Sequence, residues 1–397
     1  MTAAAKITGD WLTNPATQAV CAMLNDAGHQ AHFVGGCVRN ALLGAEVSDM
    51  DISTDARPDR VVELAKAAGL KAIPTGIDHG TITVVSGHIP HEITTYRKDV
   101  ETDGRRAVVA FADTMEEDAH RRDFTMNALY CDATGRVVDP LGQGLVDLAA
   151  RNLRFIDDPD MRIREDYLRS LRFFRFHAWY GDQDAGPDPE ALAAIAANLA
   201  GIETLSRERV GAELVKLLAA PEPQQAVATM RQSGVLAMVL GGADDRALGP
   251  LVHLEQQAGV APDGLRRLAA LGGEGNGQDG GQEVARGLRL SNAQGKQLAL
   301  YRDHIGSSEG AGALGYHHGA TLAKDILLLR AAMLEMPMTP GSFAAVERGA
   351  VATFPVKATD LMDRFQGKAL GDALRQLERH WIDADFNLSR HQLLAEI

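Results

Sequence analysis

What most limits how this chain can fold is a change of periodicity near residue 150. Before it, short β-branched runs alternate with helical segments; after it, no convincing strand pattern appears. AHFVGG (31–36) is an apolar run that ends in glycine and leads into the helical VRNALLG. DMDIS (49–53) alternates with period two, which predicts Asp49 and Asp51 on one face of a strand and Met50 and Ile52 in the core. Pro58 opens RPDRVVELAKAAGL, with apolar residues at helical spacing up to Gly69. GTITVVSG and HIPHEITTY, broken at Gly87, read as an antiparallel pair. From MRIREDYLRSLRFFRFHAWYG onward the chain is helical, with breaks at 181–189, 220–223, 272–281 and 306–319, the last two read as Gly-rich surface loops. The expected class is α+β: a head with a small mixed sheet, then an all-helical neck, body and tail.

A length of 397 residues fits about two to three domains. The boundaries expected are 1–150, 151–225 and 226–397. No apolar run approaches the roughly 18 residues a membrane span needs, and the N-terminus lacks the apolar core of a signal peptide. Cys21, Cys37 and Cys131 are odd in number and match no metal spacing, so they are expected as reduced, buried side chains in a cytoplasmic protein. Acidic residues number 53 against 40 basic ones, a net charge of −13, which disfavours a chain coated in nucleic acid. Arginine nevertheless clusters at 105–106, 121–122 and between 151 and 175, where a local basic seam could hold a phosphate backbone.

Two carboxylates at i and i+2 on a strand repel one another unless a cation or a shared proton relieves them. Oxygen-only ligands at that density suit Mg²⁺, which is commonly held by one or two carboxylates together with substrate phosphates. An isolated Asp-x-Asp is as easily a solvated turn. Here it follows Gly35-Gly36, a turn between an apolar strand and a helix whose N–H groups can face an anion, and Arg39 lies one turn into that helix. The run is not GxGxxG, and no GxxxxGK[ST] occurs. Glu92 in HEITTY could lie near a metal, but an exposed strand glutamate is the plainer reading and it is not counted as a ligand.

GG-x-VR, the Asp-x-Asp strand, RRDFTMNAL (121–129), DPLGQGLVDL (139–148) and EDYLRSLRFFRF (165–176) occur in that order. Together they resemble the class II CCA-adding tRNA nucleotidyltransferase and bacterial poly(A) polymerase family, within the polymerase-β-like superfamily; the resemblance is strong over about 30–220. It implies that Asp49 and Asp51 are the catalytic, metal-binding pair and that Gly35, Gly36 and Arg39 contact the triphosphate. Arg122 and Asp123 match an arginine-aspartate motif associated with the ribose and phosphates, and Asp166, Arg169, Arg172 and Arg175 match a nucleotide-recognition helix. One departure is Asn40, where the family usually has aspartate, which is expected to loosen the orientation of Arg39.

Asp166, Arg169, Arg172 and Arg175 recur at intervals of three, and the bland account is a salt-bridged face, Glu165 with Arg169 for example. Phe173, Phe174 and Phe176 between them argue for burial instead. A carboxylate only accepts hydrogen bonds and a guanidinium only donates. Cytosine and adenine both offer an amino donor beside a ring-nitrogen acceptor, so Asp166 with Arg169 would suit both, whereas U and G would leave buried groups unpaired.

The expected activity is template-independent addition of CCA to the tRNA 3′ end from CTP and ATP, with Mg²⁺ as cofactor and tRNA as partner, and with no DNA, membrane or obligate protein partner. The head would carry the chemistry, the neck would read the base, and the body and tail would bind RNA. Poly(A) addition, or RNA binding without catalysis, are the alternatives. RKDVETDGRRAVVAF (97–111) looks like the family's flexible loop, absent in working form from members restricted to adding C. LSRERVGAELVKLL and LERHWIDADFNLSRHQLL look more like CCA-adding members. No His-Asp dipeptide occurs, so an appended phosphohydrolase domain is not expected, and His317–His318 is read as surface loop rather than as a metal site.

Overall fold

A computed structural model describes residues 5–103, 106–273 and 280–397. Gly104 and Arg105, within the expected flexible loop, and residues 274–279, within the expected Gly-rich loop, lie outside the described residues. Residues 1–205 and 232–238 pack as one unit, and residues 206–231 and 239–397 as another.

The strands all lie in the first unit: β1 His32–Val34, β2 Asp51–Thr54, β3 Lys71–Gly76, β4 Thr81–Ser86, β5 Ile89–Thr95, β6 Arg97–Asp103, β7 Arg106–Phe111, β8 Tyr130–Asp132 and β9 Val137–Val138. Seven of them form one mixed sheet in the order β3-β4-β5-β2-β1-β8-β9, and β6 pairs with β7 alone. Residues 97–103 and 106–111 therefore pair antiparallel. The β4–β5 pair is antiparallel as expected, while β2 and β5 run parallel. Central strands buried on both faces are apolar, and Phe33, Ile52, Ile82 and Ile93 are all fully inaccessible. Pro58 and Asn14 start flanking helices in the way their types favour, proline at the first helical position and asparagine capping a free N–H. At one end of the sheet Val34, Tyr96, Ala112, Tyr130 and Ile156 close a single apolar cluster.

The second unit is helical. Its buried charges are paired: Glu255 takes Arg266 Nε at 2.7 Å and Arg267 Nη2 at 2.6 Å, and Arg266 Nη1 reaches Asp325 at 2.6 Å. The expectation of a loop over 306–319 needs correction. Residues Ala311–His318 form a helix, so His317 and His318 end a helical turn. The helix holds because Gly315 and Gly349 let two helices touch: a Cβ on Gly315 would stand 2.2 Å from Val346 O, and one on Gly349 2.0 Å from Gly312 O. Glycines that sequence reading takes for looseness are here packing residues. Among the described residues no helix is long and apolar enough to cross a membrane.

Candidate active site

The sheet order puts β1 on one side of β2 and β5 on the other, and this brings the acidic residues together. In the parallel β2–β5 ladder Asp51 is the register partner of Glu92. Asp49 lies outside the strand, which corrects the expected same-strand pair. Strand β1 ends at Val34 and turns away at Gly35, so the chain before Asp51 has no neighbour there to pair with. Met50 is half-buried and its Sδ accepts from Thr17 Oγ at 3.8 Å, while Asp49 accepts from Ser48 Oγ at 3.2 Å. Asp51 is coupled to both Glu92 and Asp49, but among the described residues the three carboxylates do not bring one oxygen each within 4.8 Å of the others.

Asp51 is accessible to solvent along one side, yet the protein walls the rest of its carboxyl. Burial pushes its pKa up, Glu92 and Asp49 add to the rise, and Arg122 works against it. Glu92 thus acts on Asp51 more strongly than Asp49 does. Sequence reading left Glu92 out because its partner is set by a non-local parallel pairing. An oxygen-only set whose charge Arg122 relieves only in part is the donor chemistry a divalent hard cation fits.

Gly35 has φ of 74°, and a Cβ there would stand 3.4 Å from Arg122 Nη1, so the turn brings backbone against a guanidinium. Gly36 opens the helix Gly36–Leu42 that carries Arg39. Arg39 is 6% exposed and is held on several sides. Its Nη1 donates to Asn127 Oδ1 at 2.5 Å and its Nη2 to Tyr180 Oη at 2.9 Å, with the Tyr180 ring centroid 3.9 Å from Cζ. Asn40 does not loosen it. Asn40 Oδ1 accepts from Arg39 Nε at 3.2 Å and Nη2 at 2.9 Å, while Asn40 Nδ2 donates to Glu46 O at 2.9 Å. The amide supplies the acceptor an aspartate would, and adds a donor that ties down the segment before Asp49.

Arg122 donates to Asp118 Oδ2 at 3.0 Å, Tyr130 Oη at 3.2 Å and Ser53 Oγ at 3.3 Å. Burial works against its charge, but Tyr130 and Asp118 outweigh that and hold the guanidinium above its ordinary pKa. Asp123 faces the other way. It accepts from Asn127 Nδ2 at 2.9 Å, from its neighbour Phe124 N at 2.9 Å and from Arg172 Nε at 2.7 Å. Burial alone would raise its carboxyl, yet Arg172 holds it low.

Asp166 is not on the helix with the arginines. One helix ends at Glu165 and the next runs Leu168–Tyr180; between them Asp166 is extended, at φ −153° and ψ 103°. Its Oδ1 accepts from Leu168 N at 3.1 Å, so it caps the second helix. Arg169 donates to Glu165, to Arg162 O at 2.8 Å and to Arg121 O at 3.2 Å. The salt-bridged account of Glu165 and Arg169 is therefore what the fold adopts. Arg172 and Arg175 meet Arg39 around one ring, their Cζ atoms 5.1, 4.3 and 5.0 Å from the Phe176 centroid. Three guanidinium groups thus converge on one apolar ring, with Arg172 paired to Asp123 and Arg39 held by Asn40, Asn127 and Tyr180. The sequence could not show this convergence, since Arg39 joins it from the far side of the head.

Comparison with known proteins agrees with this fold. A family model for the poly A polymerase head domain matches residues 31–154, and one described as a probable RNA and SrmB-binding site of polymerase A matches 187–245. The mitochondrial CCA tRNA nucleotidyltransferase 1 of Mus musculus is 30% identical over 381 residues, spanning 93% of this chain and 86% of that protein. The CCA-adding enzyme of Levilactobacillus brevis is 39% identical over 214 residues, 53% of this chain and 52% of that one. Among solved structures, the Bacillus stearothermophilus CCA-adding enzyme in complex with CTP superimposes with a TM-score of 0.76 at 26% identity, covering 94% of each chain.

Proposed function

The chain belongs to the class II CCA-adding enzyme family, and from that premise we propose that it completes tRNA 3′ ends, using Asp49, Asp51 and Glu92 as its metal-binding carboxylates. It is a template-independent nucleotidyltransferase that adds CCA from CTP and ATP and releases pyrophosphate. The observation that carries the site assignment is the Asp51–Glu92 register, which gathers carboxylates beside the Gly35 turn and the Phe176 arginines.

The three carboxylates would hold Mg²⁺. When bound, such ions lower the pKa of an attacking hydroxyl and stabilise both attacking and leaving oxygens. The protein's own groups do the rest. The 3′-hydroxyl of the RNA attacks the α-phosphate in line, and the P–O bond to the β-phosphate breaks. Arg39, Arg172 and Arg175 orient the triphosphate and offset its charge. Arg122 and Asp123 serve by positioning: Arg122 braces the Gly35 turn against Asp118, and Asp123 sets the angle of Arg172. Asp166 and Arg169 read the base edge that C and A share. For Arg169 this requires release of Glu165, so Glu165 acts as a placeholder until a base arrives.

In functional terms residues 1–150 form the catalytic head, 151–225 the base-reading neck, and 226–397 the RNA-binding body and tail. ATP joins CTP as substrate, no obligate protein partner is needed, and three free, buried cysteines favour a cytoplasmic location. The test is a tRNA transcript ending at its discriminator base. With CTP and ATP together the purified chain should add three nucleotides and stop. Long A-tracts on unrelated RNA from ATP alone would replace this reading with poly(A) addition.

A further inference from the structure

Among the described residues, one group of three potential ligands has its donor atoms all within 4.8 Å of one another, and it lies outside the nucleotide site. It joins His304, near the end of the helix Asn292–Ile305, Glu309 in the following turn, and His318, the last residue of the helix Ala311–His318. All three are half-buried. The His304 and His318 rings stand 4.3 Å apart between centroids at 61°, edge toward face.

The hydrogen bonding of this cluster is incomplete in a specific way. His304 Nδ1 lies 3.3 Å from Glu309 Oε2, but no hydrogen bond forms there, and His304 Nδ1 and His318 Nε2 are both buried without a hydrogen-bond partner. Buried polar nitrogens in that condition are costly and uncommon. Two such nitrogens and a carboxylate oxygen facing the same small volume are the donors of a cation site. The surroundings are fixed by other contacts. His317 Nδ1 meets Glu309 Oε1 at 2.5 Å, which orients that carboxylate. Arg330 donates to His304 O at 2.8 Å, Glu309 O at 2.6 Å and Ser307 Oγ at 2.6 Å, which pins the turn. The Arg330 guanidinium is spent on those backbone and hydroxyl oxygens.

We propose that His304, Glu309 and His318 bind a zinc-class divalent ion that braces this pair of helices. Two imidazoles and one carboxylate favour zinc over Mg²⁺ or Ca²⁺, which take oxygen ligands, and a water would complete the tetrahedron. The ion ties the end of one helix to the end of the next through a five-residue turn, and it takes no part in nucleotide transfer.

The experiment uses the full chain, stripped with a chelator and then titrated with Zn²⁺ against a chromophoric competitor. Bound zinc is counted by mass spectrometry, and thermal unfolding is followed with and without the metal. The wild type should hold one zinc that His304→Ala, Glu309→Gln and His318→Ala each lack. Its thermal midpoint should rise with Zn²⁺ where theirs do not. His317→Ala, which removes only the orienting hydrogen bond, should bind about 10- to 100-fold more weakly. Circular dichroism of the metal-free variants checks that each is folded, and His317→Ala, outside the ligand set, keeps the test decisive if a ligand variant is not. Co²⁺ in place of zinc should give visible bands without thiolate charge transfer. The proposal falls if the wild type binds no zinc, if the ligand variants keep wild-type stoichiometry, or if thiolate bands place the metal at the head cysteines.

Discussion

Asp51 and Glu92 are register partners across a parallel ladder, so each presents its carboxylate to the other from a neighbouring strand. Neither can move away without unzipping the sheet. A bound cation would relieve that fixed repulsion, as the proposed function has it, and the first predictions follow from it.

Asp49→Ala and Asp51→Ala should abolish incorporation while leaving the fold intact. Glu92→Gln should keep residual activity but need a higher Mg²⁺ concentration for half-maximal rate, because it removes one of the three carboxylates. A Mg²⁺ titration of initial rates checks this. An unchanged midpoint for Glu92→Gln would return that residue to the status of a surface glutamate.

The raised pKa of Asp51 carries a sign for stability. A carboxyl whose folded pKa lies above its ordinary value, about 3.9, holds more protons folded than unfolded, so stability falls as pH rises through that window. Asp51→Asn should therefore melt higher than wild type at neutral pH in Mg²⁺-free buffer, although inactive. The advantage should vanish below pH ~4, where both states are protonated, and should shrink when Mg²⁺ is added. Thermal melts across pH with and without Mg²⁺ test all three statements.

Asn40 can be separated into its two hydrogen-bonding roles. Asn40→Ala frees Arg39 and Glu46 together, and the lost bonds to a charged group are worth roughly 1.5–3 kcal/mol. It should raise KM for both nucleotides about tenfold or more. Asn40→Asp keeps the acceptor for Arg39 but loses the donor to Glu46 O, so KM should stay near wild type. Steady-state kinetics of the two variants decide whether Arg39 or the 43–48 segment matters more.

Asp166 has two proposed tasks, and asparagine divides them. As a helix cap asparagine is as good as aspartate, whereas alanine costs about 1 kcal/mol. Asp166→Asn should therefore keep stability yet blur discrimination of C and A from U and G, since its amide can donate as well as accept. Arg172→Ala should instead weaken all four nucleotides similarly, and should destabilise the fold by exposing the unpaired charge of Asp123. The kcat/KM values for CTP, ATP, UTP and GTP separate the two. Wild-type selectivity in Asp166→Asn would move base choice to another residue.

Glu165→Gln tests the placeholder role. Weakening the Glu165–Arg169 bridge should lower KM for CTP and ATP if Arg169 must leave Glu165 to meet a base. A raised KM would mean that Glu165 aims Arg169 toward the base and does not compete with it.

Local signals in the sequence carried the head far. The glycine turn and the helix after Pro58 are short-range patterns, and each is where its residues predict, whereas of the Asp-x-Asp run only Asp51 lies in the strand. What stayed hidden depends on contacts between distant segments. Glu92 joins the carboxylates only through the parallel β2–β5 pairing. Arg39 meets Tyr180 and Phe176 only because the neck helix docks on the head. The break at Asp166 was missed because charges at intervals of three hide a capping residue as readily as they reveal a helical face. His317 and His318 are a related case: the glycines around them suggest a loop, although one of them, Gly315, lets two helices touch.

The helix Leu168–Tyr180 is fastened to the head at both ends, through Arg169 to Arg121 O and through Tyr180 to Arg39, with Asp123 and Arg172 between. On the proposed reading, the span between the base-reading and phosphate-holding groups is therefore a ruler of fixed length. A pyrimidine and a purine would then both be measured on it, which would leave the switch from adding C to adding A to side-chain rotation and to the growing RNA end.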